Sequence, residues 1–126
     1  MPVRVLLVED NDVYRSSLEL LLGLQPELEV VGAVGSGTDA ARVARELAPD
    51  VVVMDYRLPG LDGAAATRAV LDASRAAVVC LTAEATAEER TAILRAGAVA
   101  LVEKGDSIDG LAQAIRSAAG SGTEGA

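Results

Sequence analysis

An uninterrupted apolar run that stops abruptly at a carboxylate is the feature that most constrains this chain. Val51–Met54 is followed at once by Asp55. A run without polar alternation is typical of a strand buried on both faces, as in a parallel sheet. Leu58-Pro59-Gly60 then predicts a turn off the sheet, because Pro fixes φ and Gly tolerates turn conformations. We therefore expect Asp55 at the carboxyl end of a central strand, the edge where open α/β sheets bind ligands.

The same pattern repeats along the chain. Four further apolar runs predict strands at Val3–Val8, Leu28–Val34, Ala77–Leu81 and Val99–Val102. Apolar residues at helical spacing lie between them, beginning with a helix from about Asp12 to Leu22. This alternation predicts a doubly wound parallel sheet of five strands with five helices, a flavodoxin-like (βα)5 fold.

Helix boundaries are marked by caps and breakers. Asp62 is a candidate N-cap for the third helix, and Thr86 with Glu89 has the spacing of a capping box at the start of the fourth. Gly97 is expected to end that fourth helix. The fifth helix presents an inner face of Ile108, Leu111, Ala112 and Ile115.

Length and composition indicate one domain. The chain has 126 residues, of which 51% are apolar, enough for one full hydrophobic core. We assign residues 1–118 to this domain. Residues 119–126 include Gly120-Ser121-Gly122-Thr123, a composition typical of a flexible tail or the start of a linker.

The net charge and the single cysteine limit the possible binding partners and the cell compartment. The formal net charge of −8 argues against direct contact with nucleic acid by this segment, since that contact requires clustered Lys and Arg. No apolar stretch approaches the ~20 residues of a membrane span, and the N-terminal run is too short for a signal peptide. The single cysteine, Cys80, lies in an apolar run and reads as a buried core residue. We expect a cytoplasmic protein without membrane contact.

Acidic, hydroxyl or lysine side chains lie at the ends of four of the five predicted strands. Glu9 and Asp10 follow the first strand, Asp55 ends the third, Thr82 follows the fourth, and Lys104 follows the fifth. Each alone has an ordinary explanation, as a helix cap, a strand-end hydroxyl or a solvated lysine. Because parallel strands share one carboxyl edge, we expect all five side chains to converge there.

The expected cluster suits a hard cation and a phosphoryl group. Three carboxylates in one place repel by about 4 kcal/mol per close pair at an effective dielectric near 20, so a cation is needed. A chain without His is limited here to oxygen ligands, which suit Mg²⁺ or Mn²⁺. Asp55 can act as the nucleophile, Thr82 and Lys104 can contact oxygens of the transferred group, and the Arg57 carbonyl is placed to reach the metal.

With these residues in view, the chain from Val3 to Ala118 resembles the receiver domain of bacterial two-component response regulators. The resemblance rests on the Glu9-Asp10 pair, on Val-Met-Asp-Tyr-Arg-Leu-Pro-Gly-Leu-Asp-Gly around Asp55, on Leu81-Thr82-Ala83, and on Lys104. It implies Mg²⁺-dependent phosphoryl transfer from a sensor histidine kinase to Asp55. It also implies that Asp10, Asp55 and the Arg57 carbonyl ligate the metal, that Glu9 acts through water, and that Thr82 is the switch hydroxyl.

The resemblance extends to a subgroup and departs from the pattern at one position. Leu-Arg-Ala-Gly-Ala before the fifth strand is similar to regulators with a C-terminal helix-turn-helix domain, which would begin beyond the Gly/Ser tail. DNA would then be reached through that domain, and the output would be transcription. Three residues before Lys104 the family normally has Tyr or Phe, whereas this chain has Leu101.

Three functions follow from these residues. The first is a phosphoacceptor receiver that catalyses its own aspartyl phosphorylation and dephosphorylation without being a dedicated enzyme. The second is a receiver-like interaction module not controlled by phosphorylation, which Leu101 motivates. The third, a phosphatase with an aspartyl intermediate, lacks a second acid two residues after the nucleophile, where Arg57 stands. Whether the chain forms a homodimer is left open.

Overall fold

The computed structural model describes residues 2–57 and 63–124, and side chains as far as residue 120. The strands are β1 (Val3–Val8), β2 (Leu28–Val34), β3 (Val51–Asp55), β4 (Ala77–Thr82) and β5 (Ala100–Glu103). The helices are α1 (Asp12–Gly23), α2 (Gly37–Leu47), α3 (Gly63–Ala73), α4 (Ala87–Ala96) and α5 (Ile108–Glu124). All five strands pair in parallel in one sheet, which confirms the predicted fold class.

Strand order places the crevice of the sheet between β1 and β3. The order is β2-β1-β3-β4-β5, so successive connections run in opposite directions from β1 and from β3. In open α/β sheets this reversal opens a crevice at the carboxyl ends of the strands, where ligands bind. The edge position of β2 explains why its residues are mostly half-buried, whereas all of β3 is buried.

The core consists of two apolar layers, one on each face of the sheet. Because side chains alternate along a strand, Val5 and Leu7 of β1 pack toward α1 and α5, while Leu6 and Val8 pack toward α2, α3 and α4. The central strand β3 divides in the same way, with Val53 on the first face and Met54 on the second. The sheet is therefore covered on both sides, as its unbroken apolar runs require.

Several boundaries follow local capping chemistry. The Thr86 hydroxyl accepts from the Glu89 N–H at 3.1 Å while the Glu89 carboxylate accepts from the Thr86 N–H at 3.0 Å, so the capping box is formed. Gly97 ends α4 at a φ of 114°, a value that favours glycine. The predicted turn Leu58-Pro59-Gly60 and the predicted cap Asp62 lie outside the described residues.

Two ends differ from expectation. β5 runs from Ala100 to Glu103, one residue later than predicted, and its pairing with β4 begins at Ala100 opposite Val79. α5 continues to Glu124, whereas composition favoured a flexible tail from residue 119. Among the side chains described, as far as residue 120, the last buried one on α5 is Ala118. The division into domain and linker stays a prediction.

Within the described residues, we find no helix with both the length and the apolar character that crossing a membrane demands.

Candidate functional site

Strand register brings Glu9 and Asp55 side by side. Val8 of β1 lies opposite Met54 of β3, so the next residues along the two strands are Glu9 and Asp55. Both are almost fully buried, at 1% and 4% exposure. Asp10 follows on the solvent side, and one carboxylate oxygen from each of the three residues lies within 4.8 Å of the others. The three acids that the sequence singled out therefore form one cluster at the crevice between β1 and β3.

Lys104 joins two of these acids. Its Nζ lies 2.7 Å from Glu9 Oε1 and 3.3 Å from Asp55 Oδ2. The backbone fixes where this lysine emerges, because the Lys104 N–H donates to the Thr82 carbonyl at 2.7 Å just past the paired ends of β4 and β5. Lys104 is the chain's one lysine, and the fold delivers its ammonium into the acid cluster.

Burial and charge set the protonation of the cluster. Burial raises the pKa of Asp55 to about 6, and the neighbouring Glu9 charge adds to that effect although the Arg57 N–H and the Lys104 ammonium oppose it. Burial also disfavours the charged form of Glu9, but the Lys104 ammonium and the Asn11 N–H outweigh it and hold the Glu9 pKa below its usual range. The Lys104 pKa is raised, since its carboxylate partners overcome its own burial. The pocket thus holds more negative charge than one lysine balances.

The donor set fits a hard divalent cation. Glu9 Oε2 accepts from the Asn11 N–H at 2.9 Å, whereas buried Oε1 meets Lys104 only as an ion pair and has no aligned hydrogen-bond donor among residues 2–57 and 63–124. Asp10 is exposed and turns its carboxylate toward the same space. Oxygen atoms of this kind, with water completing the shell, are the ligands that Mg²⁺ prefers.

Thr82 ends β4, and Leu101 lies on the neighbouring strand β5. Asp55 pairs with Leu81 across the sheet, so Thr82 is the next residue along β4, and it is 1% exposed. Its hydroxyl donates to the Glu84 carbonyl at 3.0 Å. Leu101 is half-buried and packs on the α4 side of the sheet. The Thr82 hydroxyl must exchange its Glu84 partner before it can reach a group bound to Asp55.

The backbone of Arg57 contacts the acid cluster, whereas its side chain contacts α4. Its backbone N–H donates to Asp55 Oδ1 at 3.2 Å, which helps to fix that carboxylate. Its guanidinium, 64% exposed, lies 3.3 Å from Glu89 Oε2 and 5.8 Å from the centre of the Tyr56 ring. The role expected for the Arg57 carbonyl as a metal ligand stays a prediction.

The structure adds contacts that the sequence analysis did not identify. Tyr14, in the first turn of α1, has its ring centre 4.8 Å from Lys104 Nζ. Asn11 caps α1 through its side chain and also donates its N–H to Glu9. A signal for Asn11 was available in its position just before a helix, but none pointed from Tyr14 to Lys104.

The fold and the site together define a class of protein. A family model described as the response regulator receiver domain matches residues 5–116. The chain belongs to the response regulator receiver domain family. Receiver domains of this family are phosphoacceptors in two-component signalling, and they interact with histidine kinases.

Curated relatives share this domain within longer proteins. The chain is 34% identical over 117 residues to the transcriptional regulatory protein LiaR of Bacillus subtilis, covering 92% of this chain and 56% of that protein. It is 43% identical over 108 residues to protein-glutamate methylesterase/protein-glutamine glutaminase 3 of Myxococcus xanthus, covering 82% of this chain and 30% of that protein. The chain thus spans about half of the first relative and less than a third of the second.

Solved receiver domains superpose closely. The receiver domain of the putative response regulator NarL from Mycobacterium tuberculosis is 28% identical with a TM-score of 0.89, covering 94% of this chain and 96% of that one. The receiver domain of sensor histidine kinase PA1611 from Pseudomonas aeruginosa is 32% identical with a TM-score of 0.82, covering 95% and 99%. That second structure has a magnesium ion coordinated in its active site cleft.

Proposed function

We propose that Asp55 is the phosphoacceptor of this receiver domain and that Glu9, Asp10, Thr82 and Lys104 complete its phosphorylation site. One observation carries the proposal. The Asp55 carboxylate is buried at the end of the central strand, 3.3 Å from the only lysine and within 4.8 Å of two other acids. A purely structural aspartate has no need for this arrangement, since burying like charges together is costly.

The reaction is an in-line displacement at phosphorus. A carboxylate oxygen of Asp55 forms a bond to phosphorus while the bond from phosphorus to the donor breaks, and its electron pair stays with the donor atom. With a sensor histidine kinase as the donor, that atom is an imidazole nitrogen, which this chain itself lacks. The Arg57 N–H, which donates to Oδ1, orients the nucleophile.

Lys104 and Thr82 follow the charge that moves onto Asp55. The Lys104 ammonium already contacts Asp55 Oδ2 and can pair with an oxygen of the arriving phosphoryl group. The Thr82 hydroxyl can supply a second contact once it leaves the Glu84 carbonyl. The conformational change would begin at these two residues, because each must leave its present partner to contact the phosphoryl group.

Mg²⁺ or Mn²⁺ would be held here by Asp10, Asp55 and the Arg57 carbonyl, with Glu9 acting through water. When bound, the cation neutralises the carboxylates and the phosphoryl oxygens. The unaligned Glu9 Oε1 and the exposed Asp10 carboxylate support this assignment.

The phosphodonor, the output and the route to DNA are also part of the proposal. We infer a sensor histidine kinase as the donor and transcription as the output, which LiaR supports by its description as a transcriptional regulatory protein. DNA would be reached through a further domain beyond residues 1–118, with residues 119–126 leading toward it. The M. xanthus relative shows that this type of domain also occurs with a different output. A cytoplasmic location and a homodimer remain predictions.

Mass spectrometry tests the acceptor. The purified chain is treated with a small phosphodonor and Mg²⁺, beside Asp55→Asn and beside Asp72→Asn, an exposed acid on α3. We expect a gain of one phosphoryl group on wild type and on Asp72→Asn, none on Asp55→Asn, and none after chelation of the metal. No gain on wild type, or an unchanged gain on Asp55→Asn, would contradict the proposal.

A second function, a receiver-like interaction module without phosphate control, is favoured by Leu101 at the position where the family has an aromatic residue. Amide hydrogen exchange separates the two functions. Saturating phosphodonor should change protection in α4 and β5 if phosphorylation switches the domain. Unchanged exchange in a fully phosphorylated sample would support the second function instead.

A further inference from the structure

Tyr14 is placed against the acid cluster by the start of α1. Its backbone N–H donates to the Asn11 side chain at 2.9 Å, so it lies in the first turn of α1, four residues after Asp10. Its ring is half-buried and packs at the margin of the core beneath α1 and α5. The capped helix start therefore fixes this ring relative to the carboxylates.

The Tyr14 ring is a third neighbour of the Lys104 ammonium, beside the two carboxylates. Lys104 Nζ meets Glu9 Oε1 at 2.7 Å and Asp55 Oδ2 at 3.3 Å, and the centre of the Tyr14 ring lies 4.8 Å away. That distance is within the range of about 6 Å for a cation–π contact. The Tyr14 ring and the Lys104 side chain also line one groove of about 170 Å³ between α1 and α5. The ammonium is therefore bounded by two anions and one aromatic face.

We propose that Tyr14 is a positioning residue for phosphoryl transfer, whose aromatic face holds the Lys104 ammonium at the phosphorylation pocket. The inference rests on the proposed function of Asp55 and Lys104 and goes beyond it, because it assigns a role to a side chain outside the proposed phosphorylation site. The ring restricts where the flexible lysine stem can go. It leaves Lys104 free to move from Glu9 toward a phosphoryl oxygen.

The magnitude follows from the surroundings of Lys104. Its side chain is 25% exposed, so the contact is partly desolvated. Replacing the ring by an aliphatic side chain should slow phosphorylation of Asp55 about threefold to tenfold, the equivalent of about 0.6 to 1.4 kcal/mol. The substitution should lower the rate constant measured at saturating phosphodonor, because Lys104 acts on the transferred group. The phosphodonor concentration that gives half of the maximal rate should change little.

The single lysine makes the contact directly observable. In protein labelled with ¹³C and ¹⁵N only in lysine, Lys104 gives the one lysine side-chain spectrum. Its side-chain protons should be shifted upfield by the Tyr14 ring current in the metal-free, unphosphorylated protein. Tyr14→Phe keeps the ring and should keep the shift, whereas Tyr14→Leu and Tyr14→Met should both lose it. This readout does not depend on phosphorylation.

The kinetic arm uses the same proteins with a small phosphodonor and Mg²⁺. We expect Tyr14→Phe to match wild type, and Tyr14→Leu and Tyr14→Met to be slowed as stated. Leu20→Ala, at an exposed position on α1, serves as the control for a general effect on that helix and should leave both readouts unchanged.

Each outcome bears on the inference. An unshifted Lys104 spectrum in wild type would overturn the contact. A lost shift with an unchanged rate, or a Tyr14→Phe variant as slow as Tyr14→Leu, would overturn the positioning role. If wild type takes up no phosphoryl group while the shift behaves as expected, the contact stands and it is the proposed function that fails.

Discussion

Replacing Asp55 by Asn should stabilise the metal-free protein. Burial raises the pKa of Asp55 from its ordinary 3.8 to about 6, so the folded state disfavours the carboxylate that the unfolded chain carries freely. This rise in the pKa costs about 3 kcal/mol of folding free energy when the group is fully ionised in both states. Asn keeps the shape and loses the charge, so Asp55→Asn should gain about 3 kcal/mol near pH 8.

The pH dependence follows from the direction of the shift. Because the folded-state pKa lies above the unfolded value, the Asp55 contribution to stability falls as pH rises from about 4 to about 6 and levels off above that. Near pH 5 the gain of Asp55→Asn should shrink to about half of that value, since the folded wild type is then mostly protonated. Glu9 behaves oppositely, with a lowered pKa whose stabilisation is lost only below its ordinary 4.5.

Urea denaturation followed by far-ultraviolet circular dichroism measures this effect, because the chain has no Trp to report by fluorescence. Wild type and Asp55→Asn are compared with chelator at about pH 5 and about pH 8, with Asp72→Asn expected within about 0.5 kcal/mol of wild type. If Asp55→Asn is no more stable than wild type near pH 8, the reasoning about buried like charge is refuted. A gain that does not shrink near pH 5 would mean that ionisation of Asp55 is not its source.

Three further outcomes follow from the same structure. Mg²⁺ at about 100 times its dissociation constant should stabilise wild type by about 2.7 kcal/mol, and Asp10→Asn should need far more Mg²⁺ for the same gain in a urea titration. Gly63→Ala should lower the free energy of unfolding by about 2 kcal/mol, because a Cβ there would lie 2.7 Å from the Tyr56 Cα. In the control Gly23→Ala the added Cβ meets no atom within 4 Å, so thermal melts should show a neutral or stabilising effect. Arg57→Ala should change stability by less than about 1 kcal/mol, since its exposed guanidinium pairs with Glu89 at the surface; a larger loss in urea melts would show that this ion pair anchors α4.

The architecture was predictable because its strands are buried on both faces. Unbroken runs such as Val51–Met54 are the sequence consequence of a sheet covered by helices on two sides, and they located all five strands to within a residue or two. Capping chemistry is equally local, so Thr86 and Gly97 marked the ends of α4 correctly. The convergence of acids at one sheet edge then followed from topology alone.

Orientation within the site was not predictable. The Thr82 hydroxyl turns to the Glu84 carbonyl, and the Arg57 side chain leaves the pocket for Glu89, thirty-two positions along the chain. These choices depend on rotamers and on neighbours that only the assembled sheet and helices supply. The end of α5 was not predictable either, because a helix nucleated by core packing can extend into residues of poor intrinsic propensity.

The sequence by itself determined which residues reach the carboxyl edge, since strand ends are set by local apolar runs and parallel pairing brings those ends together. The tertiary structure decided how they meet. The offset between β1 and β3 sets Glu9 beside Asp55, and the end of β5 brings Lys104 between them. Only the packing of α1 beside α5 places the Tyr14 ring against that ammonium, because the two residues are ninety positions apart and share no local pattern.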